Sequence, residues 1–131
     1  MSPDEIVALI LRLPSTEQSS HFGNADFRVG GKIFASHPKP GQFNLNITPE
    51  QQAMLTEAEP RAFAALPNKW GEKGWTSAWA EHLDETTALS AFRMAWANVA
   101  PRALVNAELS PQAGATTTPS NGRGQPRQPG R

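Results

Sequence analysis

The chain has no cysteine and no tyrosine. Without cysteine there can be no disulfide framework, thiolate metal centre or cysteine nucleophile, and the composition fits a reducing, cytoplasmic setting. Net charge is also missing: 12 Lys and Arg balance 12 Asp and Glu. Such a balance argues against a broad basic nucleic-acid surface and against a polybasic membrane patch. Long apolar runs are absent too. The longest, Ile6 to Leu11, is closed by Arg12 and follows Asp4 and Glu5. It is far short of the roughly 20 residues a membrane helix needs, and it lacks the basic start of a signal peptide. The chain is therefore read as a monomer that works away from membranes.

Catalytic signatures are missing as well. Gly30-Gly31 joins two strand-like runs rather than opening a helix, so it cannot cradle a phosphate on a helix dipole. There is no G-x-S-x-G, no Walker lysine and no Ser–His–Asp order. His21, His37 and His82 lack metal-ligand spacing. Glu81, Asp84 and Glu85 surround His82, which could suit acid–base work, but acids just ahead of a helix serve its positive end. The reading is of a protein that is not an enzyme, with no catalytic residue, no metal and no cofactor. Only a pocket that joined His21 to a perturbed carboxylate would revive catalysis.

What is present divides near residue 109. Residues 110–131 hold eight Gly or Pro and no apolar residue larger than Ala, so they are expected to be a disordered tail. All 12 acids lie in 1–109, which is net −3, and Arg123, Arg127 and Arg131 make the tail net +3. Three phosphate contacts would give a log–log salt slope of only about −2.7, which is weak binding. At about 109 residues the body is long enough for one ordinary core.

Within it, Ser2-Pro3-Asp4-Glu5 predicts a capped helix start, and Ile6, Leu9, Ile10 and Leu13 predict its buried face. Asp26 to Val29, Gly30-Gly31 and Lys32 to Ala35 predict a hairpin. Gln42 to Ile47 alternates as a third strand. Thr48-Pro49-Glu50-Gln51 starts a second helix that Pro60 stops. Arg61 to Leu66 reads as one further turn, Asn68 to Trp70 as a short strand and Lys73 to Ala80 as a longer one. Asp84 caps a last helix with Leu89, Phe92, Trp96 and Val99 inside, closed by Pro101. The expected class is α+β: a two-layer sandwich, an antiparallel sheet with helices on one face.

Four tryptophans fall between residues 70 and 96. Trp70 and Trp75 flank Gly71-Glu72-Lys73-Gly74. Beside Lys69 and Lys73 they could stack on bases while the ammonium groups meet phosphates; as packing, they would cap the edge of the core.

The run Phe27-Arg28-Val29-Gly30-Gly31-Lys32-Ile33-Phe34-Ala35, preceded by His21-Phe22-Gly23, resembles the MmcQ/YjbR family. The likeness continues through Trp70-Gly71 and Gly74-Trp75-Thr76 to Ala95-Trp96-Ala97-Asn98-Val99-Ala100-Pro101. It implies the order α-β3-α-β2-α over 1–109, a non-enzymatic protein and a DNA-binding role. The matched bases are Arg28 and Lys32, so the expected nucleic-acid contacts are Arg28, Lys32, Lys69, Lys73, Trp70 and Trp75, with weak, salt-dependent binding. That reading requires Arg28 and Lys32 to be unpaired and to share a face. The alternative is a protein- or small-ligand-binding domain anchored on the Trp70–Trp75 segment, with no nucleic-acid role.

Overall fold

The computed structural model describes residues 1–109. The expected tail at 110–131, its three arginines and the side chain of His21 lie outside the described residues. The described chain belongs to two units, Met1–Ala100 and a second that begins at Pro101.

In the first unit, helix α1 (Pro3–Leu11) starts as its residues dictate. Ser2 Oγ accepts from the Glu5 amide, and the Glu5 carboxylate accepts from the Ser2 amide. Four strands follow: β1 (Glu17–His21), β2 (Asn24–Val29), β3 (Lys32–Lys39) and β4 (Gln42–Asn46). Gly30 and Gly31 turn β2 into β3 with φ of 59° and 79°, the left-handed geometry of a tight hairpin. Helix α2 (Pro49–Ala58) carries the second capping box, Thr48 with Gln51. Then come β5 (Phe63–Ala65), the short helix α3 (Lys69–Glu72), β6 (Trp75–Trp79) and helix α4 (Glu85–Val99). In the second unit, Arg102–Leu109 forms α5.

The strands form one antiparallel sheet in the order β1-β2-β3-β4-β6-β5. The α+β class and antiparallel sheet agree with the sequence reading; the element count does not. β1 is an added strand. Its residues Glu17 to Ser20 are all exposed, so no alternation marked it. The stretch read as a turn at 61–66 contains β5, which completes a ladder with β6. The stretch read as a strand at 68–70 enters α3, because the Asn68 carboxamide accepts from the Trp70 and Gly71 amides and caps it. Helix α5 follows the proline expected to close the last helix.

Opposed residues in antiparallel strands share a face, so the register sorts the paired side chains, with shifts between Phe27 and Arg28 and between Ser36 and Lys39. Gln18, Phe27, Ala35, Leu45, Thr76 and Ala65 form one row across the sheet. With Phe43, Ala78 and Phe63 they face the helices. Ile6, Leu9 and Ile10 of α1, Leu55 of α2, and Ala88, Ala91, Phe92, Ala95 and Trp96 of α4 complete the core. The buried stripe of α4 is thus an alanine ridge flanked by Phe92 and Trp96. Leu89 and Val99, expected inside, are only half-buried. Trp96 Nε1 donates to the Pro14 carbonyl at 2.9 Å, tying α4 to the end of α1.

The opposite face carries a polar row: Ser19, Asp26, Ser36, Asn44, Ser77 and Ala64 are successive register partners. Gln42 Nε2 donates to Ser77 Oγ, which donates to Asn44 Oδ1, both at 3.1 Å. Within the first unit, none of α1, α2 and α4 packs over this face; they lie against the other. Among the described residues no helix is long and apolar enough to cross a membrane.

Candidate functional site

The uncovered face becomes a site where α3 and the start of β6 rise beside it. Two glycines fix that segment by close approach. A Cβ on Gly71 would overlap the Leu66 carbonyl, and one on Gly74 would overlap the Ile47 carbonyl. Gly74 also has φ 113°, where other residues are strained. Gln52 of α2 braces the same segment from the helix side. Its Nε2 lies within hydrogen-bond distance of the Gly71 and Trp75 carbonyls, each at 3.0 Å, and of Thr76 Oγ1 at 3.2 Å.

Trp70 and Trp75 are thereby held edge to face, with centroids 6.5 Å apart and planes at 89°. The pair bounds a cleft of about 330 Å³ whose other side is formed by Asn24, Asp26, Ile33, Ser36 and Pro38. That volume suits a small organic molecule. Trp70 is 58% exposed, unusual for the largest apolar side chain.

At the base of the cleft lies Asp26, 2% exposed. A carboxylate is so thoroughly buried only when paired. Its partner is Arg28, two residues along the same strand and so on the same face. Arg28 Nε donates to Asp26 Oδ1 at 2.9 Å and Nη2 to Oδ2 at 3.2 Å. These hydrogen bonds hold the guanidinium pKa above its ordinary value, against desolvation that acts to lower it. Each Asp26 oxygen retains acceptor capacity beyond its bond to Arg28. Ser36 stands directly across from Asp26 on β3.

The six residues expected to contact nucleic acid are therefore divided. Arg28 lies on the uncovered face but is occupied by Asp26. Lys32 pairs in register with Val29, the neighbour of Arg28, and so projects to the other face. The hairpin does not present two free cations side by side. Trp70, Trp75 and Lys73 do come together, with the Lys73 ammonium 5.2 Å from the Trp70 ring centroid. Lys69 opens the same short helix and is exposed.

The expected cap at the last helix is present: Asp84 Oδ1 accepts from the Thr87 amide at 2.7 Å, which lowers its pKa. Glu81 pairs instead with His82 at 3.4 Å. His37 is on the helix side, stacked on Phe43 at 4.1 Å, with its Nε2 buried and unpartnered. Among the described residues, no group of three or more acidic, His or Cys side chains could hold a metal ion. Sequence reasoning missed Asp26, Ser36 and Gln52. A signal existed for the first: an acid and an arginine two apart on a strand must share a face.

Comparison with known proteins gives two findings. The family model described as YjbR matches residues 11–98. A crystal structure of a Deinococcus radiodurans protein with the family-model domain DUF419 superposes with a TM-score of 0.63 at 20% identity, covering 92% of this chain and 94% of that one. At that identity the likeness is one of fold. No curated protein matches.

Proposed function

The chain belongs to the YjbR family, and on that premise we propose that it is a non-enzymatic binding module that seats a small ligand in the cleft on the uncovered face of its sheet. One observation carries the reading. A carboxylate that is 2% exposed lies at the base of a cleft walled by two indoles, one of them 58% exposed. Folding alone favours neither a large exposed indole nor a buried ion. Together they give what small-molecule sites use, apolar walls with a few fixed polar groups.

DNA binding through the hairpin is less favoured by the same geometry. Duplex affinity depends on the number of phosphates neutralised. Arg28 is spent on Asp26, and Lys32 is on the other face. A second reading keeps nucleic acid as a partner but moves the contact. Lys73 over Trp70 is the pairing of cation and stacking surface that single strands use.

The test is titration with a broad panel of small aromatic and heterocyclic compounds, a short single strand and a short duplex, following the indole N–H resonances of Trp70 and Trp75. Small compounds are expected to shift both resonances, and Trp70→Ala to weaken them at least tenfold, while Lys32→Glu has no effect. If no small compound moves either resonance, while duplex binding is abolished by Lys32→Glu, the hairpin reading replaces this one.

A further inference from the structure

The chemistry of the cleft narrows its occupant, given that the uncovered face is the binding surface as proposed above. The walls are flat and aromatic, Trp70 and Trp75 at right angles, and Ile33 and Pro38 add apolar surface. A planar ring can lie against one indole and meet the edge of the other, which suits the ring quadrupoles. A saturated chain gains only area from the same walls.

Charge narrows it further. A deep anion would meet the Asp26 carboxylate, whose charge Arg28 balances through two of its donors. A cation would find Asp26 neutralised by Arg28 and Trp70 already visited by Lys73. The inner part of the ligand is therefore uncharged.

Polar complementarity supplies the last step. Asp26 and Ser36 are register partners on neighbouring strands, which sets their Cβ atoms about 5 Å apart. The carboxylate can only accept, whereas the hydroxyl can also donate. A ligand edge that satisfies both carries a donor beside an acceptor. From this juxtaposition of the Asp26–Ser36 pair with the Trp70–Trp75 wall, we infer that the cleft recognises a planar lactam heterocycle. Its ring N–H donates to Asp26, and the adjacent ring carbonyl accepts from Ser36. Purine-type bases with a 6-oxo group have this edge, and so do related bicyclic rings. Such a ring could arrive as a free nucleoside or as an unstacked base of a single strand, whose phosphate could meet the Lys73 ammonium beside Trp70.

The probes are inosine, 1-methylinosine, a single-stranded oligonucleotide containing one inosine, and tetramethylammonium as a cationic control. All are read by the Trp70 and Trp75 indole resonances and by tryptophan fluorescence. Inosine should shift both resonances. 1-Methylinosine, in which a methyl group replaces the N1 proton, should bind at least about tenfold more weakly, the equivalent of one hydrogen bond to a charged group. Ser36→Ala should weaken inosine several-fold without changing the unfolding midpoint. Equal affinity for free inosine and the oligonucleotide identifies the nucleoside as the source; tighter, salt-sensitive binding of the oligonucleotide identifies the strand. Equal binding of inosine and 1-methylinosine overturns the lactam assignment. So does a response to tetramethylammonium alone, which would leave the cleft standing as a site. If none of the four probes moves the indoles, the lactam assignment fails, and the broader panel described above decides the cleft.

Discussion

His37 is the residue whose surroundings make the plainest demand on pH. Its ring lies against Phe43 on the helix-covered side, and its Nε2 is buried without a partner. Burial lowers its pKa, opposed in part by the charge of Asp4. Between the folded and unfolded pKa values the unfolded chain binds the extra proton, so acid favours unfolding there. Stability from this group should be intact above about pH 6.5 and lost as pH falls from that value through the folded pKa. Urea unfolding at pH 7.5 and 5.5 checks this. The midpoint should fall at the lower pH, and His37→Phe should flatten the difference. Asp84 and Glu5, whose pKa values are lowered by backbone hydrogen bonds to Thr87 and Ser2, act at more acidic pH and do not blur that window. At this scale the sequence was partly legible. The alternation of Asp26 to Val29 placed Asp26 and Arg28 together, whereas the indoles of Trp70 and Trp75 that share the cleft with the carboxylate lie far along the chain, and no local pattern conveys that meeting.

At the scale of the element, the capped helices were legible and the edge pieces were not. Ser2, Thr48 and Asp84 each bond an amide three residues on, a local interaction that needs no tertiary context. Thr48→Ala should cost about 1 kcal/mol in denaturant unfolding, the usual worth of an N-cap. The strands β1 and β5 were hidden for physical reasons. β1 is exposed along its described side chains, and β5 is three residues long, so each exists through pairing with a neighbour rather than through its own periodicity. α3 was hidden by its tryptophan and lysine, which suggest a strand until the Asn68 cap is taken into account. Its position rests on Gly71 fitting against the Leu66 carbonyl. Gly71→Ala should therefore destabilise the fold by about 2 kcal/mol or more, because backbone cannot yield as a side chain tip can, and should move the Trp70 indole resonance. Gln52→Ala should cost about 1 kcal/mol, showing that the brace acts from the opposite layer.

At the scale of the whole sheet, the helices of the first unit seal one face and leave the other without a helix layer of that unit, and this asymmetry sorts its strands by stability. β3 and β4 lie in the middle of the ladder and beneath α4, with Phe34, Ala35, Phe43 and Leu45 fully buried. β1 is an edge with a single partner. Amide hydrogen exchange should accordingly be slowest in β3 and β4 and fastest in β1; equal protection across the six strands would contradict this packing. The α+β class was legible because apolar alternation and helix periodicity both survive in the sequence. The identity of the open face was not, since Ser36, Asn44 and Ser77 look the same whether they meet solvent, a ligand or another chain.

The bracing of Trp70 and Trp75 by Gly71, Gly74 and Gln52 has a kinetic corollary. A recognition surface already in its working geometry spends no binding free energy on ordering itself. Association should then proceed as a single second-order phase, without a slow isomerisation afterwards. Differences between cognate and poor ligands should appear as how long each one stays.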